Sequence, residues 1–326
     1  MRIHFLNRLE GADHDVLGKS VLASDRLRTI PALLAAKSLG WNISSGETVA
    51  NASDLVVVSK IGEWEIDRRE TNWLSEIGLA KKAGAKIALD YTDHHLASAS
   101  AQSSFYRNAL ELADQIIVPS DAMRDELRDA SEVPISVVED RLEYAPMPPK
   151  AVKEGANTAL WFGHQSNLLF LANYLEHWPA RALNKTLLVV CVAGGDALLR
   201  EYLTGKKIHL SIRYVPWSIS SLALAARQAD VVVIPSDLTS HKKYASSNRL
   251  VTSLALGLPT VATPLPSYVE FEGCFANLGK ARGDATIVNP EQGLDGVRRF
   301  QEHYMPRFSD QNIIRNWRET FTASLS

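Results

Sequence analysis

Short apolar runs alternate with stretches of helical periodicity along almost the whole chain, the pattern of parallel strands joined by crossover helices. In the first part, residues 2–6, 55–59, 86–89, 115–118 and 135–138 read as strands. Helical patterns lie between them at 25–39, 66–83, 103–113 and after the Ser120-Asp121 cap. The later part repeats the theme, with strands at 159–162, 187–193, 210–215, 231–234 and 260–262. Its helices start at Leu168, after Gly195, at Ser220, at Ser246 and near Pro290, and a last one covers 310–323. Between the two series the run APMPPKAVKEGAN has no face to bury and reads as a linker.

A chain of 326 residues is long for one core and suits two. The expected fold is α/β, with two Rossmann-like, doubly wound parallel-sheet domains facing across a cleft. They cover residues 1–145 and 158–306, joined by a linker at 146–157, and a final helix at 307–326 with Trp317 on its apolar face returns to the first. Ligands of such sheets bind at the carboxyl ends of the strands.

Charge narrows the function. With 35 Lys and Arg against 37 Asp and Glu, the chain has no basic field for a nucleic acid, so none is expected as a partner. Cys191 and Cys274 have no CxxC or spaced His partners, so reduced thiols and a cytoplasmic location are expected. No apolar run approaches a membrane span or a signal peptide, which leaves only peripheral membrane contact open.

The densest chemistry lies in ADVVVIPSDLTSHKKYASSNRLVTSLALGLPTVATPLPSY, ending at Tyr268. There a buried strand, a polar loop, a helix opened by small polar residues and a GLP turn follow in order. Unpaired amides at a helix start favour an anion, so Ser246, Ser247 and Asn248 are expected to hold phosphate, with Lys242, Lys243 and Arg249 supplying positive charge. Packing needs alone would also place small residues at a helix start, with the lysines as solvated loop.

Here the chain resembles the GT-B glycosyltransferases, in particular the nucleotide-sugar enzymes related to family 4. The resemblance runs through ADQIIVPSDAM, WFGHQSN, LLVVCVAGGD, IRYVPW, ADVVVIPS and LALGLPTVAT, and is weakest before Leu55. It implies a second domain that holds a nucleotide-sugar, a first that holds the acceptor, and metal-independent transfer with no cofactor beyond the donor co-substrate. A glycan, a lipid-linked sugar or a small molecule would accept the sugar. The chain departs from the family where two Glu residues eight apart are common, with Ala245 and Ser253 in their places. Rival functions are therefore a non-catalytic binding subunit and a nucleotide-sugar epimerase or hydrolase.

Other candidates follow from position. Gly163 and His164 lie in a βα turn suited to phosphate, Gly194 allows close backbone approach, and Trp217 can stack on a base. Each has a plain structural alternative as turn or packing residue. In the first domain LDYTDHH ends a strand with Asp90, Asp93, His94 and His95. Asp93 and then His94 are expected to take or orient the acceptor proton, with metal binding a weaker alternative. His14 beside Asp13, in the loop after the first strand, is a further catalytic candidate, with a solvated loop the stronger account of it. Lys60, Glu63 and Trp64 follow the strand that ends at Ser59 and read either as lining of the acceptor side or as ordinary surface.

Overall fold

The computed structural model describes residues 1–11, 13–96, 102–151, 158–178, 185–239, 241–278 and 290–325. The expected linker therefore lies partly outside the described residues. The chain divides into two compact units. The first takes in Met1–Arg141, Ser240–Ser246 and Arg307–Ser326, and the second Leu142–Thr239 and Ser247–Pro306.

In the first unit six strands form one wholly parallel sheet. They are β1 (Arg2–Leu6), β2 (Asn42–Gly46), β3 (Leu55–Val58), β4 (Lys86–Asp90), β5 (Gln115–Val118) and β6 (Ile135–Val137), in the order β2-β1-β3-β4-β5-β6. The alternation along a strand sorts the core. Val56, Val58, Ile87, Leu89, Ile116 and Val118 meet Trp73, Ile77 and Phe105 from the helices Ile66–Lys82 and Ser103–Leu112. Ile3, Phe5, Leu55, Val57 and Ala88 meet the helix Ile30–Ser38 and the final helix Asp310–Ser324, which contributes Ile313, Trp317 and Phe321. Each fully buried aliphatic side chain contributes roughly 1.5–3 kcal/mol, so covering both faces is what holds the layers together.

Two features depart from the expected pattern. The helix read at 25–39 begins as a π-helical segment, Asp25–Thr29, in which all five side chains are buried, charged ones included. The strand β2 has the polar sequence NISSG, which carries no apolar run; an edge strand can form on backbone pairing while its side chains stay wet.

In the second unit another parallel sheet has the order β12-β11-β10-β7-β8-β9. Its strands are β7 (Thr158–Phe162), β8 (Thr186–Cys191), β9 (Ser211–Pro216), β10 (Val231–Ile234), β11 (Thr260–Ala262) and β12 (Ala276–Asn277). Trp161, Val189, Val233 and Val261 meet the helix Leu168–Glu176 on one face. The helix Ile219–Gln228 lies against β7, β8 and β9, and the helix Asn248–Ala255 against β10 and β11. None of the described helices is long and apolar enough to cross a membrane.

Gly257 closes the helix Asn248–Ala255 with φ +76°, and a Cβ there would overlap the carbonyl oxygen of Pro148. Gly84 has φ +96° with no atom within 4 Å of its would-be Cβ. Left-handed backbone alone costs an L residue about 1–2 kcal/mol. Gly84→Ala should therefore destabilise by about 1–2 kcal/mol, and Gly257→Ala by more than about 3 kcal/mol because rigid backbone must also move. Denaturant unfolding of the two variants checks the ranking; equal losses would show that Pro148 yields freely.

Candidate functional site

At the carboxyl edge of the first sheet a buried ion network is built on Arg28. Asp90, the last residue of β4, accepts from Arg28 Nε at 2.8 and 3.0 Å, and Nη2 lies 2.7 Å from the same carboxylate. Arg28 Nη1 donates to the Val138 carbonyl at 2.6 Å and to Asp140 at 3.1 Å. Asp140 accepts in turn from the Ser246 hydroxyl at 2.7 Å. Burial alone would lower the Arg28 pKa, but Asp90 and Asp140 outweigh that and hold it above the ordinary value.

Next to this network Asp93 is ion-paired with Lys60 and lies 3.9 Å from the Lys242 ammonium. Burial would raise the Asp93 pKa, yet the two lysines pull it well below the usual carboxylate range. The same pairing keeps Lys60 charged: burial favours its neutral form, and Asp93 reverses that. Asp93 is thus a permanent carboxylate. It accepts hydrogen bonds well and takes protons poorly.

His94 is buried, with Nδ1 3.3 Å from the Tyr91 hydroxyl and Nε2 3.6 Å from the Glu126 carboxylate. Its ring meets Tyr244 edge-on at 5.2 Å, and His95 stacks on Tyr106. His14 is exposed, in the first turn of the short helix His14–Gly18 that Asp13 caps, and its Nδ1 lies 3.7 Å from Asp15. Among the described residues no three His, Cys, Asp or Glu side chains converge as a metal-ligand set.

In the second unit β7 runs into Gly163 and His164, and Arg249 comes up from the first turn of the helix Asn248–Ala255. The guanidinium carbon lies 5.3 Å from the Trp161 ring centre and 6.0 Å from that of Phe162. A Cβ on Gly163 would stand 3.4 Å from Arg249 Nε and Cζ, in contact with the cation but without overlap, so the strand end lies directly against the guanidinium. Nε and Nη2 of Arg249 are buried and have no hydrogen-bond acceptor among the described residues. Burial lowers its pKa, against the pull of Tyr268 and Cys191, and Tyr268 itself is pushed up to about 12. A buried donor without acceptor is costly, and an anion arriving there removes that cost.

The phosphate cradle expected from the sequence is divided. Lys242, Lys243 and Ser246 fall in the first unit, and Ser247, Asn248 and Arg249 in the second. Lys243 sits 4.8 Å over the Tyr244 ring, and the Ser246 hydroxyl is spent on Asp140. The helix starts at Asn248 rather than Ser246, with Ser247 at its cap making no side-chain cap bond. His164 is exposed and caps the turn Gln165–Asn167 by accepting from the Ser166 amide at 3.3 Å. Gly194 precedes the helix Gly195–Tyr202, and Trp217, half-buried, donates its backbone amide to the Cys191 carbonyl at 2.8 Å.

Arg28, Asp140, Trp161 and Tyr244 did not stand out in the sequence. Arg28 stands in the sequence as one of three charges, with Asp25 and Arg26, at the start of a helical pattern. At the positions where family 4 relatives commonly carry Glu, Ala245 lies in the first unit's segment, and Ser253 is fully buried with its hydroxyl donating to the Arg249 carbonyl at 2.7 Å.

No protein-family model matches the sequence, and no curated protein matches it. Solved structures do. A glycosyltransferase from Rickettsia africae ESF-5 superposes with TM-score 0.57 at 12% identity, covering 100% of this chain and 99% of that one. The N-terminal domain of Candida albicans trehalose-6-phosphate phosphatase gives TM-score 0.52 at 11% identity, with 91% and 73% covered. Apo OtsA gives 0.50 at 12%, with 91% and 76% covered. The chain spans 57% of the chain it matches in the GtfA/B complex. With a wholly parallel six-stranded sheet in each of its two units, the chain has the fold of the GT-B glycosyltransferases.

Proposed function

We propose that this protein is a glycosyltransferase that moves a sugar from a nucleotide-activated donor to an acceptor hydroxyl. The observation that carries the reading is the Arg249 guanidinium, desolvated against Trp161 and Gly163 with two nitrogens unsatisfied. That is the chemistry a diphosphate completes: two charge-assisted bonds to oxygens, beside the first turn of the helix Asn248–Ala255, which the Ser247 side chain does not cap.

In this reading the acceptor oxygen bonds to the anomeric carbon, the bond from that carbon to the donor phosphate oxygen breaks, and the acceptor proton leaves. Arg249 stabilises the negative charge that develops on the departing diphosphate, so no metal is needed for that task. Asp93 orients the acceptor by accepting from its hydroxyls while Lys60 and Lys242 keep it ionised. Buried Ser253 leaves ribose recognition to other groups, which favours a second reading, a protein that binds nucleotides without transferring sugar.

A thermal-shift panel of nucleotides and nucleotide-sugars tests donor binding. At least one should stabilise the protein, chelation by EDTA should not weaken the effect, and Arg249→Met should reduce affinity by about tenfold or more. No stabilisation by any of them sinks both readings. Asp93→Asn should leave the nucleotide shift intact while lowering turnover more than about tenfold; the second reading predicts no turnover in either protein. Because Asp93 is held below the usual range, no inflection from it should appear between roughly pH 5 and 9 in the rate profile. An acid limb in that window that vanishes in Asp93→Asn would restore it as a base.

A further inference from the structure

Trp64 is the most solvent-open large apolar side chain of the described residues, 69% exposed, yet the backbone that presents it is tightly fixed. Arg69, 2% exposed, donates to the Trp64 carbonyl at 2.6 Å and the Ile61 carbonyl at 3.3 Å. Its Nε is anchored to Glu47 at 2.5 Å, and its guanidinium carbon lies 5.4 Å from the Trp64 ring centre. The next residue, Glu65, has φ +49° and ψ +39°, a left-handed conformation that a residue with a Cβ keeps only when its surroundings impose it. Glu65 is itself held by Arg68 at 2.8 and 3.0 Å. A disordered surface indole needs none of this.

The position supplies the second half of the argument. β3 and β4 are adjacent and parallel, so the loops that follow them leave the sheet side by side at its carboxyl edge. The Lys60–Asp93 pair joins these two loops directly, four residues before Trp64. One edge therefore offers a flat apolar ring from one loop and an ionised carboxylate with its ammonium partners from the next. A pyranose has matching parts, a face of C–H groups and a rim of hydroxyls.

Resting on the transferase reading above, we propose that Trp64 is the stacking platform for the sugar ring of the acceptor, which makes the acceptor a sugar or glycoside. The indole positions the ring and Asp93 bonds its hydroxyls.

Ligand-detected NMR by saturation transfer tests this with methyl glycosides of glucose, galactose, mannose and N-acetylglucosamine, alongside the nucleotide panel. At least one glycoside should bind wild-type protein. Trp64→Ala should weaken it by about tenfold and Trp64→Tyr by no more than about threefold, with the nucleotide shift unchanged in both. Binding that Trp64→Ala leaves as it was, or no binding of any glycoside, overturns the platform while leaving the donor reading to its own test. So does binding to vesicles of phosphatidylcholine and phosphatidylglycerol that Trp64→Ala abolishes, since that would make Trp64 a membrane contact. Loss of the donor site with glycoside binding intact would instead remove the transferase reading and keep the platform.

Discussion

The first unit depends on the burial of one guanidinium. Arg28 leaves a π-helical segment, grips the end of β4 through Asp90, and reaches the backbone beyond β6 at Val138 and the side chain of Asp140. Taking that charge out of water costs several kcal/mol, and only a full set of acceptors offsets it. Stripping Arg28 of one carboxylate therefore costs about 3–5 kcal/mol, far more than an exposed pair is worth. The loop that carries Asp93 and His94 rises from β4, whose end this network holds through Asp90, so its geometry is inherited from it.

The second unit buries a guanidinium too, with the opposite outcome. Among the described residues Arg249 has aromatic neighbours in place of carboxylates, and two of its nitrogens find no acceptor. Arg28 is held by two carboxylates and a carbonyl of its own fold, and its Nη2, which makes no formal hydrogen bond, lies 2.7 Å from Asp90, so it reads as structure. Arg249 is left with donors to fill and so reads as a binding group. The same residue type thus takes two roles, and the count of acceptors within reach decides between them.

That count is also what the sequence could not supply. Strands such as LVVV and VVVI were legible because buried parallel strands must be apolar on both faces, and the GLP turn because a helix end needs Gly257. The edge strand NISSG was hidden because nothing apolar is asked of its side chains. In the site, Asp93 and Arg249 were visible as charged residues at loop and helix starts. Arg28 was not, since charges clustered at a helix start, here Asp25, Arg26 and Arg28, are usually solvated, and its partner Asp140 lies 112 residues away. Ser246 was legible as a hydroxyl at a helix start, but the chain turns to Asp140 before the helix begins.

Electrostatics bears on the proposed reaction as well. A base must gain a proton in the transition state, and Asp93 sits between two ammonium groups that penalise any loss of its negative charge. The same two lysines make it a fixed, fully charged acceptor, which suits holding a hydroxyl in place before and during bond formation. In the proposed reaction the part assigned to Asp93 is therefore orientation, and charge stabilisation is assigned to Arg249. Proton removal is left to solvent or to the departing phosphate oxygen, whose basicity rises as its bond to the sugar breaks.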